Sequence, residues 1–293
     1  MEITPLSELM GVRISGVDIA QPLDQTTVDA ITSALDKHQI VVLPKQTLSP
    51  EYFIRFSQYF GPPEPHVIDT FHHPVDPNIL VLSNIQRNGK PIGLLDAGTY
   101  FHSDYSYLTV PARCTMLYAI QMPPMKCGTT FANQRRAYDD LPDATKARLN
   151  GLFANHHYGN RNDLDHRSRT VASVLTSDQK NRVDWVRHAV VRNHPMTREP
   201  NLYAVSGSSF TIHGMADDES LVLLEKLRLH ATQEKYCYTH NYSVGDAIIW
   251  DNCSLLHSAP ITDLQGHART LWRITVKERP RAVQRQAPFA RAG

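Results

Sequence analysis

The sequence predicts an α+β fold with a mostly β core: a double-stranded β-helix, or jelly roll, with helical insertions. Three observations lead there. Short apolar runs, too brief for helices, recur along the whole chain. A few amphipathic stretches with capping residues interrupt them. No internal repeat and no long linker divides the chain, so short strands with helices between them must wrap one core. At 293 residues the chain is long for one domain, but jelly rolls reach this size, and residues 1–293 are read as a single domain.

The elements follow in order. Gly11-Val-Arg-Ile-Ser-Gly-Val-Asp-Ile19 alternates apolar and polar residues and reads as a strand. Residues 24–36 open with Asp24 as a cap and continue with helical apolar spacing. Gln39-Ile-Val-Val-Leu-Pro44 is a short buried strand. Residues 49–60 form a helix with Pro50 in its first turn, closed by Gly61-Pro-Pro. Further helices are expected at 141–149 and 218–229. Strands are expected at 79–82, 114–119, 189–192, 247–250 and 270–276. A polar, basic tail at about 279–293 ends the chain.

Composition narrows the function. A hydrophobic fraction of 41% and a charged fraction of 20% describe an ordinary soluble globular protein. A formal net charge of +1 gives no electrostatic footprint for nucleic acid or an anionic membrane. Cys114, Cys127, Cys237 and Cys253 form no C-x-x-C pair, so free thiols in a reducing cytoplasm are expected. The N-terminus lacks the basic and apolar regions of a signal peptide, and no apolar run approaches a membrane span. A homodimer or homotetramer is compatible with this composition. Fingerprints of dinucleotide, P-loop, serine-hydrolase and zincin sites are all missing.

Two distant segments carry the chemistry. The first is Thr99-Tyr-Phe-His-Ser-Asp-Tyr-Ser-Tyr107, with His102 and Asp104 two residues apart. On a strand, such a pair projects from one face. The second is Trp250-Asp-Asn-Cys-Ser-Leu-Leu-His257, followed by Arg269-Thr-Leu-Trp-Arg273. Two histidines and one carboxylate are the minimum that holds Fe(II) on one octahedral face and leaves positions for a cosubstrate and O2. In a chain with 15 histidines an isolated H-x-D could equally be a surface hydrogen-bonded pair. The late histidine with its arginines gives the pair its meaning. His72-His73 and His156-His157 do not qualify, since neighbours on a strand face opposite ways. Trp250 reads as core packing beside the metal.

These residues resemble the taurine dioxygenase and 2,4-dichlorophenoxyacetate dioxygenase family of Fe(II)/2-oxoglutarate oxygenases. The likeness runs from about Gly11 to Val276, through Gly16-Val-Asp-Ile-Ala-Gln-Pro-Leu23, His38-Gln-Ile-Val-Val-Leu43, Phe60-Gly-Pro-Pro63, Phe101-His-Ser-Asp104, Cys127-Gly-Thr-Thr130 and His188-Ala-Val-Val-Arg-Asn-His-Pro-Met-Thr197 to the His257–Arg273 segment. It implies His102, Asp104 and His257 as iron ligands, and 2-oxoglutarate and O2 as cosubstrates. It implies Arg269, with Thr130, as the grip on the far carboxylate of 2-oxoglutarate; the adjacent Thr129 leaves that register open by one. A guanidinium suits this task because its planar fork matches a carboxylate. Arg273, four residues on, leaves the strand on the same face and is expected to hold an anionic substrate head group, with His66 beside it.

The substrate side departs from the taurine enzyme. Gly98 stands where that enzyme carries an asparagine, about Ser208 where it carries an aromatic, and Tyr105 is the larger residue after the iron aspartate. A small organic anion bulkier than taurine is therefore expected: a carboxylate, sulfonate or sulfate. Two other classes compete, a jelly-roll metal hydrolase or isomerase using Zn(II) at the same triad, and a non-catalytic binding protein. The first needs no Arg269, and the second needs neither triad nor Arg269.

Overall fold

Asp24 starts the first helix by accepting a hydrogen bond from the Thr27 amide (2.7 Å), and Ser49 does the same for the second through the Tyr52 amide (3.3 Å). A computed structural model describes residues 1–95, 98–158, 175–259 and 264–278. The expected tail at 279–293 lies outside them.

The chain opens with β1 (Glu2–Pro5), β2 (Val12–Ser15), α1 (Gln25–His38), β3 (Ile40–Leu43) and α2 (Pro50–Gln58). Next come β4 (Leu80–Ser83), the small hairpin β5 (Gln86–Arg87) and β6 (Lys90–Pro91), then β7 (Ala112–Gln121) and β8 (Gly128–Asn133). The middle holds α3 (Gln134–Asp139), α4 (Asp143–Leu149), β9 (Phe153–His156), α5 (Ser177–Lys180), β10 (Val186–Ala189), β11 (Val191–Asn193), β12 (Pro200–Leu202) and β13 (Ser209–Ile212). The last elements are α6 (Asp217–Ala231), β14 (Cys237–Asn241), β15 (Ala247–Asp251), β16 (Leu255–Ser258) and β17 (Thr270–Lys277).

Two sheets make the jelly roll. The larger has seven strands in the order β1-β2-β3-β15-β7-β17-β4, and the smaller has the order β14-β8-β16. Leu82, Leu117, Phe131, Ile248, Trp250, Leu255 and Leu271 meet in one core cluster. Because side chains alternate along a strand, Ile249 and Ile274 face the other way and pack under Ile31, Leu35, Phe53 and Phe56 of α1 and α2. Ala132 and Leu256 likewise leave the smaller sheet outward, against Leu223, Leu224 and Leu227 of α6.

Several expected boundaries shift. The strand expected over 11–19 ends at Ser15, because Gly16 turns with φ +78°. The strand at 189–192 is split at Val190 into β10 and β11. α3 and the strands of the smaller sheet, each six residues or fewer, are too short to show a clear periodicity. All four cysteines are free. Among the described residues no helix is long and apolar enough to cross a membrane.

Candidate active site

His102 and His257 are joined by two reciprocal backbone hydrogen bonds, amide to carbonyl, of 2.9 and 2.8 Å. This pairing brings their rings to 4.2 Å between centroids. His102 is an isolated bridge rather than part of a strand, and Asp104 opens a turn in which Tyr105 has φ +53°. The expected strand for H-x-D is thus corrected: the turn, not strand alternation, brings the carboxylate back to the imidazoles. Asp104 Oδ1 lies 3.7 Å from His102 Nε2, and Oδ2 lies 3.5 Å from His257 Nε2.

The donor set fits a metal. His102 Nδ1 is 2.8 Å from the Tyr100 carbonyl, so it carries the proton and leaves the Nε2 lone pair toward Asp104. Burial, then His102, push the His257 imidazole down to about 3, which leaves it a neutral donor. Its Nδ1 is buried with no partner among the described residues. Burial would raise the Asp104 carboxyl, but Arg273, His257 and His102 together hold it well below the usual range. One ligand atom from each of the three residues lies within 4.8 Å of the others. An ionised carboxylate and two imidazoles, one with its lone pair fixed inward and the other held neutral, are donors that suit Fe(II).

Asp104 is held by residues that sequence reasoning missed. Thr115 of β7 donates to Asp104 Oδ2 at 2.6 Å. Asn252 donates to Thr115 Oγ1 (2.9 Å) and accepts from the Asp104 amide (3.3 Å) and from Trp250 Nε1 (3.2 Å). The one available signal was the position of Asn252, two residues after Trp250 and five before His257. Nothing local pointed to Thr115.

The cosubstrate residues need one correction. In the smaller sheet His257 pairs with Phe131 and Ser258 with Thr130. Side chains of paired residues share a face, so Phe131 and Thr129 face the iron side while Thr130 faces away. Thr130 Oγ1 instead meets Thr239 Oγ1 at 2.8 Å on the outer surface. Thr129 is buried, its hydroxyl 2.6 Å from that of Tyr242. Arg269 precedes β17, anchored by its amide to Asn84 Oδ1 (2.7 Å), and its buried Nε has no partner among the described residues.

Arg273 enters from β17 into the inner core, and its Nη1 lies 3.5 Å from Asp104 Oδ1. Its Nη2 is buried without a partner among the described residues. His66 is buried next to it, and burial followed by the Arg273 charge keeps its imidazole well below its ordinary value. His66 Nδ1 accepts from the Ile68 amide (3.1 Å), so Nε2 holds the proton. Tyr105 donates its hydroxyl to the Glu64 carbonyl (2.9 Å) and turns its ring toward His66 and Tyr107, at 6.0 and 5.8 Å. Tyr158 stands 4.6 Å from Tyr107 and 5.8 Å from His66, adding an aromatic wall that no motif announced.

Two substrate-side expectations change. The Ser208 hydroxyl is tied to Ser106 (2.7 Å) and Ser206 (2.9 Å) in a buried serine cluster, so it is engaged within the protein. Gly98 serves the iron side rather than the substrate. A Cβ there would stand 2.4 Å from His102 Cε1, and the backbone has φ +74°.

Fold and site together define the class: a jelly-roll, 2-oxoglutarate-dependent non-haem iron dioxygenase, using Fe(II), 2-oxoglutarate and O2. The model of the "Taurine catabolism dioxygenase TauD, TfdA family" matches residues 2–275, and the chain belongs to that family. It is 30% identical to an alpha-ketoglutarate-dependent 2,4-dichlorophenoxyacetate dioxygenase of Cupriavidus pinatubonensis, covering 92% of this chain and 96% of the relative. It is 29% identical to a (S)-phenoxypropionate/alpha-ketoglutarate-dioxygenase of Sphingobium herbicidovorans, covering 92% and 93%. Among solved structures, AAD-2 in complex with Mn(II) and N-oxalylglycine superposes with a TM-score of 0.78 at 28% identity, covering 95% of this chain and 98% of that one. Nothing in these relationships favours the hydrolase or binding-protein readings.

Proposed function

We propose that the enzyme oxidises a C–H bond of a small organic carboxylate, sulfonate or sulfate with a flat, aromatic-sized body. The supporting observation is Arg273. A buried guanidinium with an unpartnered Nη2 is costly unless an anion completes it. Arg269 already offers a separate cation for 2-oxoglutarate, so Arg273 is left for the substrate. Beyond Asp104, its neighbours Tyr105, Tyr107 and Tyr158 bring aromatic rings rather than further carboxylates. Relatives named for 2,4-dichlorophenoxyacetate and phenoxypropionate, both aromatic carboxylates, agree with such a cavity.

In this reading residues 1–293 form one catalytic domain with a short basic tail at about 279–293. His102, Asp104 and His257 hold iron, and Arg269 with Thr129 holds the far carboxylate of 2-oxoglutarate. Iron, when bound, supplies the activation of O2 that couples decarboxylation of 2-oxoglutarate to hydroxylation of substrate, with release of succinate and CO2. The protein's own part is positioning. Arg273 fixes the head group, the proton on His66 Nε2 offers a second donor, and the tyrosines set the plane of the body, so one C–H bond is presented. Where the hydroxylated carbon also bears oxygen, nitrogen or sulfonate, the product collapses and the substrate is cleaved.

The test is a succinate-release screen of organic acids with Fe(II), ascorbate, O2 and 2-oxoglutarate. Aryl and aryloxy acids should lead it. Arg273→Gln should lose coupled turnover yet keep slow, substrate-independent 2-oxoglutarate consumption. Neutral or cationic compounds outperforming every anion would overturn the substrate reading and leave the iron site standing.

A further inference from the structure

Within reach of the Arg269 charge lies a phenol to which no motif assigns a role. Tyr242 follows β14, and its amide donates to the Cys127 carbonyl (3.2 Å), so the chain returns alongside the start of β8. The β8–β14 register sets His240 opposite Thr129 and Tyr238 opposite Phe131. Alternation then puts residue 242 on the Thr129 face. Tyr242 is buried in the same core as Phe131, Trp250 and Leu271. Its hydroxyl lies 2.6 Å from Thr129 Oγ1, and the Arg269 charge is close enough to act on the phenol.

Each hydroxyl has one proton and two lone pairs. When two hydroxyls bond to each other, one proton is used and one remains. The phenol is the stronger acid of the two and hence the better donor. Tyr242 therefore donates to Thr129, and the Thr129 proton is free to point at an anion next to Arg269. Burial keeps the phenol protonated, so this donor persists across neutral and moderately alkaline pH.

We propose that Tyr242 is a positioning residue for the cosubstrate: it holds the Thr129 hydroxyl as a donor to the far carboxylate of 2-oxoglutarate, and so sets the preference for a dicarboxylic over a monocarboxylic 2-oxoacid. The inference rests on Arg269 being the cation for that carboxylate. It differs from a packing role, because a residue that merely filled the core would affect every 2-oxoacid alike.

The experiment is anaerobic titration of the Fe(II)-loaded enzyme, followed by its visible absorption. The two ligands are 2-oxoglutarate and 2-oxovalerate, which has the same keto-acid end and no far carboxylate. Tyr242→Phe should weaken 2-oxoglutarate about tenfold, roughly one hydrogen bond to a charged group, and 2-oxovalerate less than about twofold. Thr129→Val should behave alike. The double variant should be no weaker than Thr129→Val by more than about twofold, because the two groups act as one unit. Equal weakening of both ligands, fully multiplied losses in the double variant, or unchanged 2-oxoglutarate binding in Tyr242→Phe would each overturn the proposal. Arg269→Ala separates the two levels. If it leaves 2-oxoglutarate binding intact, the pocket assignment itself falls. If it weakens binding and Tyr242→Phe does not, only the role of Tyr242 falls.

Discussion

Among the described residues two clusters have the residue types of a metal site, and they differ in how far their ligand atoms are already occupied. His102, Asp104 and His257 form the first; His194, Asp251 and Cys253 form the second, equally compact and fully buried. In the second, the ligand atoms of His194 and Asp251 are already engaged. His194 Nδ1 accepts from the Met196 and Thr197 amides (3.2 and 3.0 Å), so its Nε2 donates to Asp251 Oδ2 (3.0 Å). Asp251 Oδ1 accepts from Arg113 (2.9 Å) and the Cys253 amide (3.0 Å), and Oδ2 also accepts from Ser254. Burial and the Asp251 charge push the Cys253 thiol well up, away from the thiolate a metal needs. The first cluster sets Nε2 of both histidines 3.5–3.7 Å from the Asp104 carboxylate, and the proton of His102 sits on Nδ1, away from it. Metal competence therefore depends on which lone pairs remain open, not on which residues are gathered.

The largest effect should come from the open cluster. His257→Ala or Asp104→Ala should abolish turnover and bound iron, read by metal analysis of the purified protein, with the fold kept by circular dichroism. Full activity in either variant would remove the residue from the iron site.

The closed cluster should respond in stability instead. Asp251→Asn leaves the Arg113 charge partly unpaired, and loss of one partner of a buried pair costs about 3 kcal/mol. Iron content should stay at the wild-type level, and denaturant unfolding should shift. The acid side offers a second reading. The hydrogen bond from His194 and the charge of Arg113 outweigh burial and hold the Asp251 carboxyl below the usual range. That contribution is complete above the ordinary carboxylate value and fades as pH falls through the lower folded one. Wild-type stability should thus fall more steeply than that of Asp251→Asn below about pH 4.

Thr115→Val sharpens the contrast, since it removes the hydroxyl that donates to Asp104 Oδ2. Iron affinity should fall about 10- to 100-fold, with recovery in Thr115→Ser. An unchanged affinity would make Thr115 a packing residue. Thr130→Val should show the smallest effect, less than about twofold in 2-oxoglutarate affinity, because its hydroxyl lies on the outer face of β8. A loss as large as that of Thr129→Val would reverse the face assignment made from the β8–β16 register.

Much was legible from the chain alone. The helix starts at Asp24 and Ser49 were readable because capping is decided by neighbours three residues away. The jelly-roll core and the family were readable through a resemblance that a few segments carry, and the trio His102, Asp104 and His257 that it implies does come together in the structure. The choice between Thr129 and Thr130 was not. A one-residue slip in register exchanges the two faces of a strand, and register is set by pairing with β14 and β16, more than a hundred residues later. The aromatic wall escaped for a similar reason, since Tyr158 meets Tyr107 only after the chain has crossed both sheets.

Residue types at short spacing thus determined which atoms are available to the chemistry: two imidazoles, a carboxylate and two guanidinium groups. Only the tertiary structure decided which of those atoms are free. Arg113 closes Asp251 from 138 positions away, and Asn252 steadies Thr115, and through it Asp104, across 137. Whether a lone pair is occupied depends on what lies within about 3 Å of it, and in a sheet-built core those neighbours are the strands that pair, not the residues that follow.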